Sequence, residues 1–382
     1  MKKVSALFAA LGLTLAMAGG GGAANAISAV RVCPGSPIGT ASCHALVVTD
    51  GLGNPNASTS PTGLDPATIK SVYGYLATLT GAGKTIAIVD AYDDPTAESD
   101  LNAFSIQYGL PPCTTANLCF KKVDQTGGTN YPRTNAGWAL EISLDIQWAH
   151  AIAPGAKILL VEAASNSFTN LLAAEDYAKT PNVAGYVSNS WGGSEFSGES
   201  SYDSHFVQPN VSFFVSSGDS GLPAQYPSAS PNVISVGGTT LNLSNTGAFL
   251  SETGWSGSGG GCSLYETATL AQSSFPEYAN VNCGGARATP DVSLDADPAS
   301  GVSVYDSTRY QGQKGWFTVG GTSASSPMWA ARAADSGAVV NSAYVYGTSI
   351  SYRDITSGNN GASALTGYDL VTGRGSWSDA TP

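Results

Sequence analysis

Apolar residues along this chain come in blocks separated by polar, turn-rich stretches. Thr85-Ile86-Ala87-Ile88-Val89-Asp90 is a short continuous apolar run ending in an acid, as in a strand buried on both faces. Residues 97–108 carry helical spacing, residues 135–153 predict a second helix, and Lys157-Ile158-Leu159-Leu160-Val161 reads as the next strand. A helix near 168–178, a strand through 183–188 and apolar runs at 211–215 and 233–236 complete the series. Strands alternating with helices at this spacing predict an α/β fold with a mostly parallel central sheet, covered on both faces. In such sheets ligands bind beyond the carboxyl ends of the strands, so the residues just after each strand are the ones to inspect. Residues 27–80 are loop-rich and polar, with a short helical pattern near 68–79, and form an N-terminal extension. No repeat or long linker follows, so residues 81–382 read as one domain.

The first residues read differently. Lys2 and Lys3 precede an apolar stretch over residues 4–17, and small residues lead to Ala24-Asn25-Ala26. This is the three-part pattern of a secretory signal peptide over residues 1–26, with cleavage expected after Ala26. The mature chain is therefore expected to be secreted, extracellular or periplasmic, without a membrane anchor. Six cysteines fit export. Cys33 with Cys43, Cys113 with Cys119, and Cys262 with Cys283 are close in sequence, and three local disulfides are the preferred connectivity. The absence of any CxxC pair argues against zinc or redox chemistry.

The 382 residues are 42% hydrophobic, which excludes a disordered chain, and their 46 glycines and 20 prolines point to many tight turns. Only 12% are charged, and 16 basic residues against 28 acidic ones give a net charge of −12. Loss of Lys2 and Lys3 with the signal peptide makes it about −14. A chain this acidic offers no basic surface for nucleic acid. With few bases it also gains only modest positive charge when its carboxylates protonate, which suits acid conditions.

Three segments carry candidate chemistry. Gly320-Gly321-Thr322-Ser323-Ala324-Ser325-Ser326-Pro327 leads into a helical pattern and puts Ser323 near a helix N-terminus, where free N–H groups favour an anionic oxygen. A nucleophilic serine benefits there, because its own N–H can help bind an oxyanion. A base is needed, and none of His44, His150 and His205 lies in a glycine-rich strand-end setting that would aim it at a serine. Trp138-Ala139-Leu140-Glu141-Ile142-Ser143-Leu144-Asp145-Ile146 instead puts two carboxylates four residues apart on one helix face. Such a pair is relieved by sharing a proton, which raises one pKa and makes a proton-transfer device. In Phe213-Phe214-Val215-Ser216-Ser217-Gly218-Asp219-Ser220-Gly221, a buried strand ends in a glycine turn that presents Asp219; there a raised pKa would leave a neutral donor in acid.

Together these segments resemble the sedolisin family, the serine-carboxyl peptidases with a subtilisin-like fold. Glu141 and Asp145 match E-x-x-x-D, Asp219 lies in SSGDSG, and Ser323 in GGTSASSP, in the family's order. Ser188-Asn189-Ser190-Trp191-Gly192-Gly193 is similar to the SxSWG strand end, and the stretch from Tyr226-Pro227 to Gly237-Gly238-Thr239-Thr240 to YPAxSPxVxxVGGT. Gly367-Tyr368-Asp369-Leu370-Val371-Thr372-Gly373 is like the C-terminal G-Y-D-x-x-T-G. With about 55 residues between Ala26 and the first strand, the chain resembles the shorter branch, without a long prosegment.

The resemblance implies a subtilisin-like three-layer sandwich and a secreted endopeptidase hydrolysing peptide bonds at acidic pH. Ser323 would be the nucleophile, Glu141 the base, Asp145 its orienter and Asp219 an oxyanion-hole donor. Ser190, Trp191, Gly192 and Gly193 would bind substrate backbone by β-pairing, with Asp90 and Trp191 supporting the carboxylates. One structural Ca²⁺ would be held by the carboxylates of Asp354 and Asp369 and the carbonyls of Ile355, Leu365 and Gly367, with Leu365 standing where the family usually has glycine. The implied partners are protein or peptide substrates, and a monomer is expected. Two other readings compete: an ordinary subtilisin triad using Asp90, and a catalytically silent, secreted, calcium-stabilised binding protein on the same fold.

Overall fold

A computed structural model describes residues 27–35, 37–347 and 351–378; the expected signal peptide, residues 1–26, lies outside the described residues. A ten-stranded sheet runs through the centre. Its strands in chain order are β1 (Thr85–Ala91), β2 (Phe120–Asp124), β3 (Lys157–Ala163), β4 (Tyr186–Asn189), β5 (Ser212–Ser216), β6 (Ile234–Leu243), β7 (Phe249–Gly254), β8 (Val292–Asp295), β9 (Tyr352–Arg353) and β10 (Ser376–Trp377). Across the sheet the order is β9-β10-β8-β6-β5-β4-β1-β3-β2, with β7 on β6. The β6–β7 and β9–β10 pairings are antiparallel and the others parallel, as the strand–helix alternation predicts.

Five helices matter for the site: α1 (Pro66–Tyr73), α2 (Ala97–Tyr108), α3 (Ala136–Ile152), α4 (Phe168–Ala178) and α5 (Thr322–Ser336). α1 stops short of the expected 68–79 because Gly74 takes up a left-handed conformation (φ 70°) and its N–H closes the last turn. α3 starts where the Asn135 side chain accepts the N–H groups of Gly137 and Trp138, and nearly every residue along it is buried. A helix buried on all sides lies inside a fold, and α3 packs against α5 and against a hairpin of strands Val302–Tyr310 and Gln313–Gly320. The Trp148 indole donates to the Ser303 carbonyl at 3.0 Å, and the Gln147 amide exchanges two bonds with Tyr305.

Three strands were not anticipated in residues 27–80, where loop was expected. Ala29–Arg31 pairs with Leu46–Val48, and the latter continues onto Gln313–Gly320. Ser42–Cys43 pairs with Trp191–Ser194. The three disulfides join the expected cysteines. Among the described residues, no helix is long and apolar enough to cross a membrane.

Candidate active site

The hairpin strand Gln313–Gly320 ends at Gly321, the residue that opens α5. Gly321 has φ 99°, and a Cβ there would lie 2.2 Å from the His44 carbonyl oxygen and 2.9 Å from Asp219 Oδ2, so only glycine fits. Ser323 is fully buried at the first turn. Pro327 lies four residues on and lacks the N–H that would otherwise bond the Ser323 carbonyl. The Ser190 hydroxyl takes that place, donating at 3.5 Å, while the Ser323 hydroxyl donates to the Ser190 carbonyl at 3.3 Å.

Behind this pair lie three fully buried carboxyls: Glu141 and Asp145 on α3, and Asp90 near the end of β1. Burial raises the Glu141 pKa well above its usual range; Asp145 and Asp90 add to this and the Ser323 hydroxyl opposes it. Asp145 is raised by burial, opposed by the Ser190 hydroxyl, and Asp90 by burial followed by Asp145 and Glu162. The carboxyl oxygens of all three lack hydrogen bonds of ordinary length. The two serine hydroxyls stand near enough to favour the anions but are turned toward each other's carbonyls. Trp191 is fully buried and donates its indole N–H to the Val89 carbonyl at 2.8 Å, bracing the strand end that carries Asp90.

Asp219 follows β5 after the turn at Gly218 (φ 111°). Its Oδ1 accepts the N–H and hydroxyl of Thr322 at 2.8 and 2.9 Å, whereas Oδ2 is buried without a partner. Burial pushes its pKa up to about 7 against the pull of Thr322 and Arg31.

The strand Trp191–Ser194 pairs with Gln225–Tyr226 on one side and with Ser42–Cys43 on the other, Ser42 facing Gly192 and Cys43 facing Trp191. The His44 N–H donates to the Ser190 carbonyl at 3.1 Å, and the Ser323 N–H donates to the His44 carbonyl at 3.0 Å. The His44 imidazole lies against Gly192, with Nδ1 2.7 Å from the Ser216 hydroxyl. Burial, then the charge of Arg31, lowers its pKa to about 3. His150 is buried in α3 on the Pro111 carbonyl, and His205 pairs with Asp176. No imidazole is hydrogen-bonded to Ser323, and a triad through Asp90 finds no histidine. Sequence reasoning missed Arg31, His44 and Thr322. The signal available for His44 was its place between a disulfide cysteine and the apolar run Ala45-Leu46-Val47-Val48.

The residues expected to hold Ca²⁺ share one C-terminal loop region. Asp354 accepts the Gly367 N–H on both oxygens, at 3.1 and 3.0 Å, and Ile355 follows it. Asp369 accepts the N–H groups of Leu365, Val371 and Thr372. Two carboxylates with the backbone carbonyls of the same loop would make an all-oxygen donor set, the chemistry Ca²⁺ prefers.

The sequence pattern of the subtilase family matches residues 132–357, more than half of the chain and inclusive of Glu141, Asp145, Asp219 and Ser323. The chain belongs to the subtilase family. This subtilase is 29% identical to sedolisin of Pseudomonas sp. (strain 101) over 82% of its length and 30% identical to kumamolisin of Bacillus sp. (strain MN-32) over 84%. Xanthomonalisin of Xanthomonas sp. (strain T-22) is 28% identical over 82%. The chain spans 60%, 63% and 45% of the lengths of these relatives, respectively. The solved structure of Pseudomonas sedolisin, a serine-carboxyl proteinase complexed with two molecules of pseudo-iodotyrostatin, superimposes with TM-score 0.70 at 29% identity. That match covers 83% of the subtilase chain and 96% of the other. A cold adapted subtilisin-like serine proteinase matches in fold, with TM-score 0.51 at 15% identity, over 84% of this chain and 100% of the other. The resemblance read from the motifs and the subtilisin-like α/β fold are both borne out.

Proposed function

We propose that the chain is a secreted serine-carboxyl endopeptidase that hydrolyses peptide bonds in acid. The observation that carries this reading is the meeting of a serine at a helix N-terminus with buried carboxyls in place of an imidazole. Ser323 attacks the peptide carbonyl and passes its proton to Glu141. Burial disfavours charge on Asp90, Glu141 and Asp145 together, so the cluster shares protons and holds one anion where the Ser323 hydroxyl favours it, at Glu141. Asp145 orients Glu141. Asp219, protonated on its unpartnered Oδ2, and the Ser323 N–H donate to the oxyanion. Substrate backbone pairs with Ser190, Trp191, Gly192 and Gly193, and glycine at 192 and 193 permits the approach. One Ca²⁺ held by Asp354, Asp369 and the carbonyls of Ile355, Leu365 and Gly367 ties down the C-terminal loop. The likeness to sedolisin, the three disulfides and the low basic content support an exported enzyme of this kind.

Purified full chain, incubated with denatured haemoglobin at pH 4 and pH 8, tests the reading beside Glu141→Ala and Ser323→Ala. Hydrolysis should occur at pH 4 and fall by about 10⁴-fold in either variant. Ser323→Ala activity within tenfold of wild type removes Ser323 from the mechanism, and activity confined to pH 8 removes the carboxylate base.

A further inference from the structure

The central strands begin at an end of the molecule that the peptidase chemistry does not use. β1, β2 and β3 start there, at Thr85, Phe120 and Lys157, and about 16 Å of strand separates Thr85 from Asp90. A cavity of about 520 Å³ opens at this end, within the size range of small-molecule sites. Its apolar wall is made by Leu118, Phe120, Ile158, Leu159, Tyr177 and Val183, and Lys121 and Lys157 stand on the same lining. Phe120, Ile158 and Leu159 are buried, whereas both lysines are exposed. Lys121 is in register with Leu159, two residues beyond Lys157 on β3, so both lysines rise from one face of the sheet. Among the described residues neither has an ion pair, in a chain with 28 acids to 16 bases. Two acids on neighbouring elements are engaged: Glu98 accepts the N–H and hydroxyl of Thr115 on the rim at 2.8 and 2.9 Å, and Asp176 pairs with Lys179 and His205. Leu118 adds a separate sign. It sits in the loop closed by the Cys113–Cys119 disulfide, with φ 62° and 74% of its surface exposed. A bulky apolar side chain held out on left-handed backbone costs free energy in strain and in hydration. Such costs collect where they serve a site.

We propose that this cavity binds one single-chain alkyl anion, its tail against the apolar wall and its head at the ammonium groups of Lys121 and Lys157. Charge and apolar surface each exclude a simpler partner. A bare inorganic anion would leave the apolar wall in water, and an uncharged chain would forgo the two unpaired ammonium groups. An amphiphilic anion satisfies both. An adjoining cavity of about 570 Å³ shares the wall of Thr85, Asn182 and Val183 and carries Lys84, which extends the positive rim.

Titration calorimetry at pH 5 with decane-1-sulfonate, kept below its micelle concentration, tests the site on the full chain carrying Ser323→Ala. The sulfonate head stays ionised in acid. One molecule should bind per chain, and octane-1-sulfonate, two methylenes shorter, should bind about tenfold more weakly. Lys121→Ala/Lys157→Ala should weaken binding by about tenfold with the melting temperature unchanged. Leu118→Asn, which suits the left-handed backbone, should weaken it severalfold without lowering the melting temperature. Equal affinity after loss of the lysine pair, for the two chain lengths, or for uncharged decyl maltoside overturns the proposal. Uptake of several molecules per chain, insensitive to these changes, is adventitious detergent binding only and overturns it too. No detectable binding of either sulfonate does the same. The cavity lies away from Ser323, and none of these outcomes bears on the peptidase reading.

Discussion

Asp219 has two oxygens in different circumstances. Oδ1 is occupied by Thr322, so the proton that burial retains resides on Oδ2, which has no other partner. Below about pH 7 this side chain is a neutral donor; above it, a carboxylate stands beside the position where negative charge develops. Activity should therefore fall as pH rises through that value, while the acid limb reports loss of the anion at Glu141, with both limbs belonging to the coupled carboxyls. Asp219→Ala should cost about 10²–10³-fold in kcat, the usual loss for one oxyanion donor. Asp219→Asn keeps a donor at every pH, so its residual activity should lose the alkaline limb. A pH–rate profile of that variant superimposable on wild type would remove Asp219 from the oxyanion hole.

Elements differ in how plainly the sequence announces them. β1, α3 and the start of α5 were legible because each has a local cause: an unbroken apolar run, a largely apolar helix with two carboxylates four residues apart, a serine after paired glycines before a helical pattern. β2 was not, because Lys121 and Lys122 interrupt its apolar pattern; in the fold Lys122 pairs with Asp93 at 2.5 Å and lies 3.5 Å from Glu162. The hairpin over Val302–Tyr310 and Gln313–Gly320 hides behind Asp306-Ser307-Thr308, whose aspartate is buried. The docking of residues 39–45 beside Ser323 was not legible, since the partners that hold it there, from Asn166 to Ser323, lie more than a hundred residues away. The candidate carboxyls and serine were readable as motifs; what packs beside them was not. The C-terminal loop carries its own expectation. Because Ca²⁺ would bind the folded loop alone, EDTA should lower the melting temperature, and calcium should restore it. An unchanged melting temperature, with no metal by elemental analysis, would count against the site.

Across the whole molecule, buried carboxyls set the response to pH. Burial raises Asp94 to about 6, Glu175 and Glu199 to about 8, and Glu162 and Asp306 to about 9. Unfolded, they would ionise near pH 4. Between those values the folded chain holds more protons than the unfolded one, so stability is greatest near pH 4 and declines as pH rises. His44 and Asp124 run the other way: their folded pKa values, about 3 and about 2, mean that acid works against them. The carboxyls outnumber them, and the melting temperature of Ser323→Ala, which avoids self-digestion, should fall steadily from pH 4.5 to pH 8. A constant or rising value would contradict the burial of these acids as neutral groups. The N-terminal segment joins two separate sheets, and that has its own consequence. Cys43 is in register with Trp191 and Leu46 with Gly320, and only His44 and Ala45 stand between. Clamped at both ends, this interval works as a gauge: which carbonyl meets the Ser323 N–H is decided by counting along the backbone, so inserting or deleting one residue there would exchange the carbonyl whatever the side chains.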